Sequence, residues 1–414
     1  MTTRANKSLR LGIALAIVYD APIAAQRGRN AAPPMVAQRV TLTKGTPEEV
    51  GMSPALLEAG VGLYRESVAR GDLVGAVLLV ARNGKVVLHE AVGSRNWEAK
   101  LPMEKNTMFR MASNTKPVIS TAINILAERG KLRYTDPVRQ YIPSFDNYKS
   151  GFITIDHLLS HTSGFRINTL FLQPYMTKSA EHPDAPSLQL EAARYGGVGA
   201  AVTPGTSYSY SNPGFNTLGA LIEITGGKPL EVFLRDEIYK PLGMVDTYNH
   251  EVASKLDGKL DRMGAVYYTQ KDGKWVAGWK PGDEAQVPFV RASGGLISTA
   301  WDYAIFLQTF LNGGSYGSAT LIKPETVKLM TSRHTLPTPN DSGAGYGYGW
   351  MINGDGSYSH SGSDGTYAWI DPTRNIIGMV LTQTPAGANP RQKFTDLVKL
   401  AVMDPPTRRV VDDR

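Results

Sequence analysis

Val118, Ile119, Ala122, Ile123 and Leu126 recur at helical spacing and leave the stretch over 114–129 apolar on so many sides that the helix must be buried. A helix of that kind needs a large domain around it. The 414 residues, 42% hydrophobic and 20% charged, can supply one. At roughly 100 to 200 residues per domain, the length fits two or three units, or one large domain carrying an insertion. The same composition excludes wholesale disorder, collagen-like repetition and a polytopic membrane protein. Cysteine is absent, which rules out a disulfide framework, a thiolate zinc site and a thiol nucleophile.

Around this helix the two ends of the chain read as sheet. Ser53-Pro54 opens a first helix that ends near Gly71. Leu73–Ala81 and Lys85–Val92 then form a hairpin through Asn83-Gly84, the strongest short hairpin signal. Near the other end, Thr366–Ile370 and Ile376–Thr382 flank Asp371-Pro372 and Asn375 as a second hairpin, and Phe394, Leu397, Val398 and Ala401 mark a closing helix. Between them, helical patterns at 114–129, 154–160, 214–225 and 229–238 alternate with Gly/Pro punctuation, and residues 166–200 read as a long connection whose Phe171, Tyr175 and Met176 line a pocket or pack on the surface. The expected architecture is α/β: an antiparallel sheet flanked by helices, built from 46–112 and 266–414, with a mostly helical domain inserted at 113–265.

Arg4, Lys7 and Arg10 precede an apolar run from Leu11 to Val18, followed by the small residues Ala21, Ala24 and Ala25. Residues 1–25 therefore read as a signal peptide and 26–45 as a linker, so export to the periplasm or beyond is expected, with a cytoplasmic leader as the alternative. The run is too short to span a bilayer. The net charge of +7 is concentrated at this end: six basic residues and one acidic residue fall within the first 40, leaving 38 basic against 36 acidic residues in the body. The body shows no basic stripe with interleaved aromatics, so no nucleic-acid partner is expected.

Ser113 opens the buried helix, and Lys116 follows at nearly one turn, close enough for its amine to reach the hydroxyl. Desolvation and the helix dipole both favour a neutral amine there, and a neutral lysine can take the proton that makes serine a nucleophile. Taken alone, S-x-x-K is also an ordinary helix cap, and roughly one is expected by chance at this length. The second constellation is Tyr210-x-Asn212, a phenol and an amide projecting from one side of an extended segment. Tyr210 can relay a proton, and Asn212 can hold Lys116 or a substrate carbonyl; without the first motif a tyrosine-rich packing loop is the better reading. The third is Tyr358-Ser359-His360-Ser361-Gly362-Ser363, expected on an edge strand, where a backbone N–H together with that of Ser113 can form an oxyanion hole. By itself it also reads as a Ser/Gly-rich turn.

Taken together, these motifs resemble the superfamily of serine β-lactamases, penicillin-binding proteins and family VIII carboxylesterases. The resemblance runs from about residue 46 to 403. It also includes Ile153–Gly164, Pro204-Gly205-Thr206, Lys240-Pro241-Leu242-Gly243-Met244 and Ala292-Ser293-Gly294-Gly295-Leu296. It implies a β-lactamase/transpeptidase-like fold, Ser113 as the acylated nucleophile, Lys116 and Tyr210 as the acid/base pair, and Asn212 as a polar partner. It further implies that His360-Ser361-Gly362 stands in the third motif, with the Ser363 N–H completing the oxyanion hole. Many members carry Lys-Thr-Gly in that motif; His360 in its place tilts the reading from anionic β-lactams towards neutral esters. The expected function is a serine hydrolase acting on carboxylic esters. The alternatives are a D-Ala-D-Ala-type carboxypeptidase or class C-like β-lactamase, and a cell-wall peptide or β-lactam binder that acylates without turnover. The expected partner is a small-molecule ester or amide, and the sequence sets no oligomeric state.

Two rival constellations carry less. Gly313-Gly314-Ser315-Tyr316-Gly317 matches G-x-S-x-G, but a helix precedes it where a nucleophile elbow needs a strand. His157 and His161 have zinc-pair spacing, but Leu158 stands where the glutamate of H-E-x-x-H belongs. No metal and no cofactor are expected.

Overall fold

The computed structural model describes residues 39–167, 178–183, 185–249, 253–271, 274–284, 287–337 and 342–403. The expected signal peptide and most of the linker, and the loop residues Phe171, Tyr175 and Met176, lie outside the described residues.

The strands in chain order are β1 (Thr43–Lys44), β2 (Gly75–Arg82), β3 (Lys85–Asn96), β4 (Leu101–Pro102), β5 (Phe109–Arg110), β6 (Val266–Lys271), β7 (Lys274–Trp279), β8 (Ile297–Ser298), β9 (Ser315–Tyr316), β10 (Ala319–Thr320), β11 (Gly345–Tyr346), β12 (Met351–Ile352), β13 (Tyr358–Ser361), β14 (Thr366–Asp371) and β15 (Ile376–Thr382). The α-helices are α1 (Pro54–Ala69), α2 (Thr115–Glu128), α3 (Ile155–Leu159), α4 (Leu188–Val198), α5 (Asn212–Gly226), α6 (Leu230–Leu234), α7 (Lys240–Leu242), α8 (Ala300–Leu311), α9 (Pro324–Met330) and α10 (Arg391–Leu400).

The main sheet runs β1-β3-β2-β15-β14-β13-β12-β11, with β4 added on β3, so the first and last hairpins meet at the β2–β15 pair. All these pairs are antiparallel except β1 with β3. Asn83 and Gly84 both take positive φ, 52° and 77°, the requirement of a type I′ hairpin turn. Every residue of β2 is buried because both faces are covered. Ala76, Leu78 and Val80 pack with Val61 and Tyr64 of α1 and Phe394 and Val398 of α10. Val77, Leu79 and Ala81 join the larger core with α2, α5 and α8. That core encloses α2, whose residues Thr115 to Leu126 are all buried.

Three local expectations change. The long connection over 166–200 contains α4, capped by Ser187 and burying Leu188, Ala192 and Tyr195; Gly196-Gly197 at its end masks the helical period. The helix over 229–238 is α6 followed by a π-helical turn at Arg235–Tyr239. The third motif is not on the edge strand, because β12 and β11 lie outside β13. The β12 ladder nevertheless ends at the Met351–Ser359 pair, which leaves the run from His360 to Ser363 beyond it.

Candidate active site

The approach to Ser113 is strained and then tied down. β5 pairs with β8, the Met111 N–H bonds the Leu296 carbonyl at 2.8 Å, and Ala112 then takes φ 45°, a left-handed conformation that costs a β-carbon residue roughly 1–2 kcal/mol. Side chains hold the turn. Thr366 Oγ1 accepts from Asn114 Nδ2 and donates to the Met111 carbonyl, both at 2.9 Å, and the Tyr303 hydroxyl donates to the Asn114 carbonyl at 2.8 Å. Ser113 thus sits in a 3-10 turn, Ala112–Asn114, that runs directly into α2.

Lys116 is fully buried. Its Nζ lies 3.0 Å from Ser113 Oγ, 2.8 Å from Asn212 Oδ1 and 2.8 Å from the Ser293 carbonyl. Burial pushes its pKa well below the ordinary lysine value, and the nearby Arg291 guanidinium pushes the same way. A neutral amine can donate its two protons to Asn212 and Ser293, which aims the lone pair at Ser113.

Tyr210 covers this amine, with Nζ 4.6 Å from the ring centroid. The residue is 41% exposed, yet burial around the hydroxyl raises its pKa, while a hydrogen bond with Ser113 lowers it. Asn212 does not continue an extended segment as expected. Ser211 is the N-cap, accepting the Gly214 N–H at 3.1 Å, and Asn212 is the first residue of α5.

In the third motif, His360 is buried and turned away from the opening. Its Nδ1–H donates to the Ser361 carbonyl at 2.8 Å, and its Nε2 accepts from the Tyr346 hydroxyl at 2.9 Å. Burial, reinforced by Lys116, lowers its pKa to about 3, so the ring is neutral. Gly362 passes so close to the turn that carries Ser113 that a β-carbon there would lie 2.4 Å from the Met111 carbonyl and 2.3 Å from Thr366 Oγ1. A cavity of about 300 Å³ opens over Ser113 and is also lined by Tyr210, Asn212 and Ser363, but not by His360, Ser361 or Gly362.

Other lining residues had no assigned role in the sequence: Arg110, Tyr268, Arg291, Ser293 and Asp364. Arg110 and Asp364 form a buried ion pair at 3.1 Å, and the Tyr268 hydroxyl donates to Asp364 at 3.2 Å. Ser293 acts through its backbone carbonyl, which leaves no residue-type signal. Arg110 and Asp364 each adjoin a motif but become neighbours only in the folded chain.

The rival sites go elsewhere. Ser315 is buried in β9, bonded to Thr320 at 3.0 Å, and is followed by β10 rather than a helix. His157 closes the capping box of α3, and the His161 ring packs on Tyr210 with centroids 4.4 Å apart.

Comparison with known proteins places the family and the fold. The sequence model described as Beta-lactamase matches residues 61–403. A protein of Escherichia coli (strain K12) named "Putative D-alanyl-D-alanine carboxypeptidase" is 27% identical over 388 residues, covering 84% of this chain and 87% of that one. Solved structures also share the fold. The hydrolase EstCE1, described as having promiscuous acyltransferase activity, has a TM-score of 0.69 at 22% identity, covering 84% of this chain and 99% of its own. The octameric penicillin-binding protein homologue from Pyrococcus abyssi has a TM-score of 0.67 at 25% identity, covering 84% of this chain and 77% of its own.

Proposed function

The chain belongs to the Beta-lactamase family of serine hydrolases, and we propose that it hydrolyses carboxylic esters through an acyl-enzyme on Ser113. The observation that carries this is the set of three oxygens around Lys116 Nζ, of which Asn212 Oδ1 and the Ser293 carbonyl accept while the Ser113 hydroxyl donates to the neutral amine. They suit the neutral amine before proton transfer and the ammonium after it, so the proton moves without rearranging the site.

Ser113 Oγ attacks the ester carbonyl carbon while its proton passes to Lys116. The N–H groups of Ser113 and Ser363 hold the developing oxyanion. The tetrahedral species collapses, the C–O bond to the alcohol breaks, and the alkoxide takes a proton from Lys116 by way of the Tyr210 hydroxyl. Water, deprotonated by the same pair, then attacks the acyl carbon and releases a carboxylic acid and free Ser113.

The neutral, buried His360 supports neutral esters, because the third motif offers no cation to a substrate carboxylate. A D-Ala-D-Ala-type carboxypeptidase is the second reading, favoured by the name of the 27% identical relative and by Arg110 and Arg291 in the cavity wall. Parallel assays with p-nitrophenyl butyrate, a peptide ending in D-Ala-D-Ala and a chromogenic cephalosporin decide between them. The ester reading expects turnover of the first to exceed the others, and Ser113→Ala to abolish it in a folded protein. Export of the mature chain is part of the same reading, supported by the sequence of residues 1–25. Among the described residues no helix is long and apolar enough to cross a membrane.

A further inference from the structure

We propose that His161 is a positioning residue for the proton path, holding Tyr210 and Asn212 in place through the backbone on either side of Tyr210. The proposal rests on the reading that Tyr210 and Asn212 serve Ser113 and Lys116. The His161 carbonyl accepts the Ser209 N–H at 2.8 Å, and its ring Nδ1 accepts the Ser211 N–H at 3.0 Å. These grips fall one residue before and one residue after Tyr210. Ser211 is also the N-cap of α5, so the second grip fixes where that helix begins and where Asn212, its first residue, points. The ring itself is fully buried, its centroid 4.4 Å from that of Tyr210 and 4.9 Å from that of Phe215.

Two unfavourable features surround this one useful atom. With Nδ1 as an acceptor, the neutral ring carries its proton on Nε2, and Nε2 is buried with no hydrogen-bond partner among the described residues. The backbone of His161 takes φ 59°, a left-handed conformation that histidine adopts only at a cost. Simple packing requires neither, since an apolar ring would fill the space without an orphaned N–H. Burial keeps the ring neutral and Nδ1 available as an acceptor.

Three full-length variants test this with p-nitrophenyl butyrate, kcat and KM being measured separately. Asparagine places Oδ1 near the position of Nδ1 and tolerates positive φ, whereas glutamine carries its amide one bond further out, beyond the Ser211 N–H. His161→Ala and His161→Gln should lower kcat by roughly 10²-fold, the loss expected when a reacting group is misplaced by about 1 Å, with little change in KM. His161→Asn should recover most of it. In a Tyr210→Phe background the further loss from His161→Ala should be smaller than in the wild type, because one of the two groups being positioned is already gone. Equal impairment of the asparagine and glutamine variants, or losses that simply multiply in the double variant, would overturn the proposal. If the alanine variant fails to fold, the asparagine–glutamine pair decides. Ser113→Ala is assayed alongside: turnover surviving that change would defeat the nucleophile reading itself, whatever His161 does.

Discussion

Replacing Lys116 by methionine should remove a specific part of the pH dependence of stability. In the fold, burial and the Arg291 charge favour the neutral amine; in the unfolded chain a lysine titrates near 10.4. Between the folded and unfolded values the unfolded chain holds the extra proton, so stability rises with pH. The slope is about 1.4 kcal/mol per pH unit for one proton. From pH 8 to pH 9 the wild type should therefore gain about 1.4 kcal/mol that Lys116→Met does not. The substitution also strips a donor from Asn212 Oδ1 and the Ser293 carbonyl, costing about 1–3 kcal/mol for each acceptor left unpaired. That offset is the same at both pH values and drops out of the difference. Equilibrium urea unfolding at pH 8, 8.5 and 9 reads both slopes. Parallel slopes would mean that Lys116 is charged in the fold, and the argument for it as the base would fail.

The other expectations are simpler. Burial lowers the folded pKa of His360 to about 3, so its neutral form stabilises the fold fully above about 6.5, and stability is lost as pH falls from there towards the folded value. His360→Gln should flatten the wild-type slope between pH 6 and pH 4 by about 1.4 kcal/mol per unit, measured by urea unfolding. Thr366→Val removes both bonds to the nucleophile turn and should cost about 1–3 kcal/mol in urea unfolding, with a fall in kcat. Ser315→Ala changes a residue buried in β9 and should leave kcat within about twofold, as expected for a group outside the reacting set; a collapse would reverse the choice of serine.

Elements whose character is set locally were the legible ones. Asn83-Gly84, Ser53-Pro54 and the apolar face of α10 each carry a signal within a few residues, and their hairpin and helices stand where that signal puts them. Ser113 and Lys116 were readable together because they stand three residues apart where a 3-10 turn runs directly into α2. α4 was hidden because its buried face includes the charged Glu191 beside Leu188, Ala192 and Tyr195 and the helix ends in Gly196-Gly197-Val198. The outer position of β12 and β11 could not be read, since two-residue strands carry no period. Contacts across the chain were also invisible: the Ser293 carbonyl on Lys116 spans 177 residues, and Arg110 finds Asp364 only in the fold. His360 is the instructive case. Its residue type suggested a substrate contact, yet Tyr346 and its own neighbour's carbonyl satisfy both ring nitrogens.

Mass mapping of protein quenched during ester turnover tests the central claim most directly. The account predicts a mass increment equal to the acyl group on the tryptic peptide Met111–Arg129, confined to Ser113 and missing when Lys116 is methionine. An acyl group found on Ser315 or any other side chain, or the same rate of Ser113 acylation without Lys116, would contradict it.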